Sequence, residues 1–413
     1  MLAIFQIKGK IFYGWVVVAL IIASSFIMMG INSSFGVFFK SLEGTFELTR
    51  ATTSAILSSR MAISCVFAFL GGWAIDRYGP RIVFSIMGLF IGLSLVLTGQ
   101  TTHTWQLFIT YSLLLAIGVG ASYVVMTSTI LRWFDRKRGL ALGIAGSGGG
   151  LGVACMAPLS AFLIDSFEWR NALIILGGIA WLVLLPVAQF LKKDPYEIGT
   201  SPDGATVGYQ TPDIKQGATS PQKVPLLQMF RTTNFWSFLF IWLLMSFSTF
   251  FMMTHIVPHA IDLGFSPIES ATILSLSGIA MIGGRLIAGI TTDKLSPKIV
   301  SIGCSLLQAA TFLWLIWIQE LWMLYLFGLF HGFAVGGIST ANTVLAGRTF
   351  GLGDIGKILG VLEIGFFIGA TIGPFLGGLI FDAVNSYTLA FLIMAGTILT
   401  RILFVMLIRQ ESG

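Results

Sequence analysis

Twelve long apolar runs dominate this 413-residue chain and limit its fold more than any other feature. Crossing the ~30 Å hydrocarbon layer of a bilayer takes about 20 apolar residues, and each run is close to that length or above it. Lipid cannot hydrogen-bond the backbone, so such spans are helical. Charged residues make up only 10% of the chain, against about a quarter in soluble domains. We therefore predict an all-α integral membrane protein with twelve transmembrane helices.

The runs form two sets of six on either side of a polar segment. The predicted spans are 13–38, 52–75, 82–100, 105–130, 139–163, 171–191, 234–258, 268–291, 299–318, 321–346, 356–381 and 387–408. Residues 194–230 are rich in Pro, Gly, Ser, Thr, Gln and Asp, which favours a cytoplasmic linker. We expect six-helix bundles at 1–193 and 231–413. The first run is too long for a signal-peptide core, so we predict no removable leader.

The basic residues indicate the orientation of the chain. With both termini in the cytoplasm, the outer loops hold only Lys40, Arg50 and Arg170, whereas nineteen of the 24 lysines and arginines, Arg401 among them, fall on the inner side. This asymmetry follows the positive-inside rule. It accounts for the net charge of +6 without a nucleic-acid partner. We expect a multi-pass protein of the inner (plasma) membrane.

Two pairs of aspartates indicate that the halves are repeats. The segment GWAIDRYGPRIV around Asp76 is similar to GITTDKLSPKIV around Asp293, and these aspartates lie 217 positions apart. Asp165 and Asp382 have the same separation. Each half holds an even number of spans, so the repeats would share one orientation in the membrane.

The segment around Asp76 resembles the loop signature of the major facilitator superfamily, G-x-x-x-D-R-x-G-x-R. The matching residues are Gly72, Asp76, Arg77, Gly79 and Arg81, with a relaxed copy at Asp293 and Lys294. The resemblance covers the whole chain and implies two six-helix bundles of the major facilitator fold. Spans 5 and 11 begin on the same side, and their partly positive N-termini would stabilise nearby carboxylates. We interpret both motifs as conformational latches that gate the inner side.

A second segment resembles one branch of that superfamily. RWFDRKRGLALGIA, residues 132–145, is similar to the basic loop entering helix 5 in monocarboxylate transporters and oxalate/formate-type antiporters. Members of those groups also carry an arginine within helix 8, which Arg285 matches here. The resemblance implies a small carboxylate as cargo, and it places spans 1, 4, 7 and 10 along the transport path.

One carboxylate, Glu363, and two arginines, Arg60 and Arg285, lie well inside predicted spans. Buried charges in a bilayer cost several kcal/mol each, so they are functional candidates. Two arginines against one glutamate leave a cation without an evident anionic partner. A bound carboxylate would supply that partner, because it matches the planar guanidinium fork. We predict that Arg285 binds the substrate; the alternative is a hydrogen bonder between helices.

The other two residues have open roles. Arg60 is predicted to act as an outer gate or anion attractor, or else to bond carbonyls within its own half. Glu363 is predicted to carry a coupling proton, or else to pair with a basic residue and lock the inner gate.

His255 and His331 lie in spans 7 and 10, and imidazole titrates near neutral pH. Each histidine is a candidate for substrate binding and proton coupling, or else a neutral hydrogen bonder between helices.

Three polar residues complete the predicted substrate site. Tyr123 shares a face of span 4 with Gly120 and Thr127, where its phenol could donate to a substrate oxygen. Asn342 and Tyr387 are further candidates. Ordinary packing between helices is the alternative for all three.

These features favour a secondary active transporter of a small monocarboxylate, similar to lactate or pyruvate, that works by alternating access and is coupled to protons. Alternatives are an efflux transporter for a larger amphipathic compound and a membrane-bound sensor. The sequence has no nucleophile–base pair or metal spacing, and its glycine-rich span 5 lacks a phosphate-loop ending, so we predict neither an enzyme nor a cofactor. The expected partners are the carboxylate, protons and lipid, and the expected functional unit is a monomer.

Overall fold

The computed structural model describes residues 6–7, 10–134, 138–202, 231–350 and 355–408, without the side chains of residues 6–11, 76, 138–140, 293 and 355–359. The helices are α1 Tyr13–Phe46, α2 Arg50–Gly99, α3 Thr104–Leu107, α4 Leu115–Val119, α5 Ser122–Trp133, α6 Arg138–Phe190, α7 Thr233–Asp262, α8 Pro267–Lys294, α9 Pro297–Trp314, α10 Leu321–Phe350, α11 Ile355–Val384 and α12 Thr388–Leu407. A π-helical turn, Phe108–Leu114, joins α3 to α4, and short strands β1 Gln6–Ile7 and β2 Lys10–Ile11 pair antiparallel.

The predicted membrane spans are confirmed. Within the described ranges, eleven helical segments are long and apolar enough to cross a bilayer. One of them, Ala141–Phe190 in α6, has 50 residues, or about 75 Å at the helical rise, more than twice the hydrocarbon thickness. Glu168, with φ 66° and ψ 157°, breaks this helix into two spans. The sum is twelve, as in the major facilitator fold.

The repeat inferred from the aspartates extends to the helix packing. In the first half, α6 approaches α1 so closely that a methyl group at Gly148 would touch the carbonyl oxygen of Ile22 at 2.5 Å. In the second half, a methyl group at Gly365 would lie 2.7 Å from the carbonyl oxygen of Leu239. Both members of the second pair lie 217 positions after those of the first. The offset of the aspartate pairs is therefore also the offset of the close contacts.

The described residues group into two compact units. One contains residues of Met1–Ile31, Ile63–Gly152 and Arg170–Ser220, and the other residues of Asn32–Ala62, Val153–Trp169 and Pro221–Gly413. These units differ from the predicted halves, because parts of spans 1, 2 and 5 pack with the C-terminal spans. The division into two bundles remains a prediction. Most of the predicted linker, from residue 203 to 230, lies outside the described residues.

In the C-terminal half, α7 packs against α11, α8 against α10, and α9 against both α10 and α12. Phenylalanines fill the space between them: Phe251 of α7, Phe312 of α9 and Phe391 of α12 belong to one buried cluster. The polar residues discussed below interrupt this apolar packing.

Candidate functional site

Helix α8 holds Arg285 well inside a membrane-spanning segment. A capping box fixes the start of the helix: Ser266 Oγ accepts from the Glu269 amide at 3.3 Å, and Glu269 Oε2 accepts from the Ser266 amide at 2.9 Å. Farther along, α10 packs on α8 at Gly336, where a methyl group would overlap the carbonyl oxygen of Met281. Arg285 is half-buried on the turn that follows this contact.

Helix α8 also carries an unsatisfied hydroxyl and open space next to its backbone. Ser275 Oγ is buried and has no hydrogen-bond partner in the described part of the chain. A methyl group at Gly289, one turn beyond Arg285, would meet no atom within 4 Å. Glu363 is half-buried in α11, and its carboxylate forms no ion pair or hydrogen bond with a described residue, so it does not neutralise Arg285.

His255 and Tyr387 are the two predicted site residues that the structure brings into contact. His255 is buried in α7; its Nδ1 lies 2.9 Å from Tyr387 Oη, and its Nε2 lies 2.8 Å from the carbonyl oxygen of Pro374. A carbonyl only accepts, so Nε2 carries the hydrogen. The Tyr387 phenol supplies one hydrogen, which it donates to Nδ1. The imidazole in this arrangement is neutral.

Tyr387 also contacts Arg50, the centre of a group of charges. Arg50 Nη1 donates to Tyr387 Oη at 2.8 Å, and its Nη2 donates to Asp262 Oδ2 at 2.5 Å. Arg50 Nε lies 3.4 Å from a carboxylate oxygen of Glu43, and Lys40 Nζ lies 2.7 Å from the other oxygen of Asp262. We call Lys40, Glu43, Arg50, Asp262, Asp382 and Tyr387 the Arg50 cluster.

The assignment of Arg50 to an outer loop was wrong. Arg50 is the first residue of α2, and its side chain is 4% exposed. The guanidinium carbon lies 3.5 Å from the centre of the Phe381 ring, so an aromatic face covers it. Local sequence gives no sign of this burial, because the partners Asp262 and Tyr387 lie 212 and 337 positions away.

Arg401 was also misassigned, to the inner side of the membrane. It is fully buried in α12, which continues to Leu407. Its Nη2 donates to Gln308 Oε1 at 2.7 Å and to Ser305 Oγ at 3.0 Å, both on α9. Its Nε and Nη1 have no hydrogen-bond partner among the described residues. The predicted balance of two arginines against one glutamate therefore omitted a third arginine inside a span. The apolar residues on both sides of Arg401 could have indicated that it lies within the membrane.

His331 and Asn342 lie between α10 and α9. His331 is fully buried, with Nδ1 3.3 Å from Thr311 Oγ1 and its ring stacked on Phe327 at 5.1 Å between centres. Asn342 is also fully buried, and its Oδ1 accepts from Ser301 Oγ at 2.6 Å. Both side chains thus bond to α9, whereas His255 bonds to α11 and to Tyr387.

The remaining ionisable and phenolic candidates lie apart from these groups. Arg60 is 1% exposed in α2, and its Nη2 donates to Asn32 Oδ1 and lies 3.7 Å from Met61 Sδ. Tyr123 is 52% exposed near the start of α5. These positions leave the predicted roles of Arg60 and Tyr123 as predictions.

The signature residues lie where α2 breaks. Gly79 takes φ 79°, a conformation that suits glycine, and Pro80 follows it. Arg77 is exposed beside Trp73 and Tyr78, with its guanidinium 5.6 and 5.7 Å from the ring centres. Arg81 donates to Gln189 Oε1 through Nε at 2.9 Å and Nη2 at 2.6 Å. Lys294 is exposed at the end of α8, and the side chains of Asp76 and Asp293 lie outside the described part.

Comparison with known proteins decides the family. The model of the Major Facilitator Superfamily matches residues 20–301 and 260–412. This chain belongs to the Major Facilitator Superfamily. Within the superfamily, it is similar to monocarboxylate transporter 13 of Bos taurus, with 25% identity over 397 residues that cover 94% of this chain and 87% of the relative. It is also similar to human monocarboxylate transporter 12, with 26% identity over 401 residues that cover 92% and 77%.

Solved structures of the superfamily share this fold. A D-xylose–proton symporter aligns with a TM-score of 0.76 at 15% identity, over 96% of this chain and 98% of the other. A bacterial homologue of the human lysosomal transporter Spinster, inward-facing and unoccupied, aligns with a TM-score of 0.73 at 15% identity, over 95% of each chain. The superfamily relatives are transporters rather than enzymes. The chain is therefore a multi-pass membrane transporter.

Proposed function

We propose that this transporter moves a small monocarboxylate, of the size of lactate or pyruvate, by alternating access and together with protons. The similarity to proteins named monocarboxylate transporters over more than nine-tenths of the chain supports the cargo class. The proposal includes a plasma-membrane location with both termini in the cytoplasm, and function as a monomer.

Arg285 carries the proposal. An arginine inside a membrane-spanning helix is a functional candidate, because burying its charge there is costly, and its planar fork matches a carboxylate. The open space at Gly289, one turn from Arg285, supports a site beside this residue. Since Glu363 forms no contact with Arg285, an exogenous carboxylate does not have to displace that glutamate.

The other candidates take supporting roles in this proposal. Tyr123, His255 and Tyr387 are candidates for contacts with the substrate. His255 and Tyr387 bond to each other in this structure, so each would exchange that bond for one to the substrate. His331 and Asn342 are weaker members, because both already bond to α9. Glu363 is the leading proton carrier: it is an intramembrane carboxylate without a counter-ion among the described residues. His255 and His331 remain further candidates for coupling.

Alternating access needs contacts that form on one side at a time. On the inner side we assign this role to Asp76, Arg77 and Arg81 and to their repeat, Asp293 and Lys294. Arg60 would act from the outer part of the first span of α2, Arg50–Ile75.

The test is uptake into proteoliposomes. Labelled lactate, pyruvate and other carboxylates are offered at two external pH values, with Arg285→Lys as the variant and empty vesicles as the blank. Arg231→Lys is the matched control, because Arg231 is exposed just before α7. We expect uptake that is lost in Arg285→Lys, kept in Arg231→Lys and raised by an inward proton gradient. If no carboxylate exceeds the blank, the cargo class is wrong; if the gradient has no effect, proton coupling is wrong.

A further inference from the structure

The Arg50 cluster joins helices that are far apart in sequence. Lys40 and Glu43 come from α1, Arg50 from α2, Asp262 from α7 and Asp382 from α11. All lie at the helix ends that the positive-inside pattern places outside. The cluster belongs to one compact unit, so its contacts hold the outer ends of α1 and α2 against those of α7 and α11.

Asp382 makes the contact that links α2 most directly to α11. Its Oδ1 accepts from the backbone amide of Arg50 at 3.0 Å, and its Oδ2 accepts from that of Ala51 at 2.8 Å. These amides belong to the first turn of α2, where N–H groups lack partners within the helix and the helix dipole favours an anion. One carboxylate thus caps α2 from another helix, 332 positions away.

The cluster contains two cations and three carboxylates. Lys40 and Arg50 each pair with both Glu43 and Asp262. The shortest distances are to the Asp262 carboxylate, 2.7 Å from Lys40 Nζ and 2.5 Å from Arg50 Nη2. The third carboxylate, Asp382, is compensated by the α2 N-terminus rather than by a side chain. Separating the ends of α1, α2 and α7 would break the three contacts that join different helices, Lys40–Asp262, Arg50–Glu43 and Arg50–Asp262, and would leave only the Lys40–Glu43 pair within α1.

The equivalent position in the other repeat is different. Asp165 precedes Asp382 by 217 positions, and the same offset carries Arg50 to the start of α8 at Pro267. Proline has no amide hydrogen, and Ser266 and Glu269 already cap α8. Asp165 is exposed and forms no hydrogen bond with a described residue. One repeat therefore has the interhelical cap, and the other lacks it.

We propose that Asp382 and Arg50 form an outer latch, which closes the outer ends of α2 and α11 and at the same time engages Tyr387. Because Arg50 donates to the hydroxyl of Tyr387, closure withdraws that hydroxyl from any ligand arriving from outside. The inference rests on the alternating-access part of the proposed function and not on the identity of the cargo. Arg50 is in this sense a positioning residue for Tyr387 and His255.

Cysteine labelling from the outside tests the latch. Ser58 lies two turns into α2 from Arg50; it is 5% exposed, and its hydroxyl has no described partner, so Ser58→Cys is a mild reporter. The three native cysteines are replaced by alanine, and cells are treated with a membrane-impermeant maleimide without added substrate. Losing one charge-assisted hydrogen bond corresponds to about tenfold or more in an equilibrium. We expect Asp382→Asn and Arg50→Gln each to raise the labelling rate about tenfold or more.

Asp165→Asn is the matched control and should label within about twofold of the parent, well below the effect of one hydrogen bond. Circular dichroism and elution volume verify that each variant folds. The latch is refuted if properly folded Asp382→Asn and Arg50→Gln label at the parent rate, or if Asp165→Asn labels equally fast. Faster labelling in a protein that moves no carboxylate would keep the latch and reject only the proposed cargo.

Discussion

The buried pair of Arg401 and Gln308 provides a stability test that is independent of transport. Gln308→Leu removes the 2.7 Å acceptor of a fully buried guanidinium at nearly constant volume. A hydrogen bond to a charged group contributes about 1.5–3 kcal/mol. Arg401 Nη2 keeps its bond to Ser305 Oγ, and the variant also removes the buried Gln308 Nε2, which has no hydrogen-bond partner among the described residues. We therefore expect Gln308→Leu to lower the free energy of unfolding by about 1–2 kcal/mol.

The partner variant has the opposite expectation. Arg401 already has two nitrogens without a described partner, so Arg401→Met removes unsatisfied polar groups along with two hydrogen bonds. Replacing buried charges by apolar residues of similar volume is often neutral or stabilising, and we expect a change within about 1 kcal/mol. Gln308→Leu should then cost little in the Arg401→Met background. The double-mutant cycle should give a coupling of about 1–2 kcal/mol.

The assay is equilibrium unfolding in mixed micelles, followed by tryptophan fluorescence for the parent, both single variants and the double variant. Ser305→Ala is a second probe, because it removes the 3.0 Å acceptor and leaves Gln308 in place. A coupling below about 0.5 kcal/mol would show that the two side chains act independently, and it would refute the reasoning.

Two further variants test the surroundings of Arg285 and the proton. Gly336→Ala should reduce both uptake and thermal stability, because its methyl group would overlap the carbonyl oxygen of Met281 and lie 3.1 Å from the backbone nitrogen of Arg285. Gly283→Ala is the control and should leave both unchanged, because its methyl group would meet no atom within 4 Å. Equal behaviour of the two variants would count against this packing. Glu363→Gln should abolish the stimulation of uptake by an inward proton gradient and spare exchange at equal pH, as measured with labelled substrate on both sides. Gradient stimulation as strong as in the parent would exclude Glu363 as the proton carrier.

Hydropathy predicted the spans well because the bilayer imposes one requirement on every helix. It underestimated how far the helices extend beyond the hydrocarbon layer. Span 1 was predicted to stop at residue 38, whereas α1 continues to Phe46 through Lys40 and Glu43, which pair at 3.3 Å. A helix that leaves the hydrocarbon layer no longer needs apolar residues, so a search for apolar runs cannot detect its extension.

The charged groups were harder to predict than the fold. A basic residue near the end of a span reads as interfacial, and Arg50 and Arg401 were both assigned in that way. Their burial depends on partners more than 90 positions away, such as Gln308 for Arg401 and Asp262 for Arg50. Sequence spacing within one helix carries no information about such pairs. Arg285 was easier, because it lies many residues from either end of its helix.

The central claim is that Arg285 takes the carboxylate of the cargo. The most direct measurement is equilibrium binding of labelled lactate to the purified transporter, with pyruvate and uncharged lactamide as competitors. A charge-assisted contact of about 1.5–3 kcal/mol corresponds to roughly tenfold to a hundredfold in Kd. We predict that pyruvate competes, that lactamide does not, and that Arg285→Lys weakens binding by at least about tenfold. Equal competition by lactamide, or unchanged affinity in Arg285→Lys, would contradict the claim.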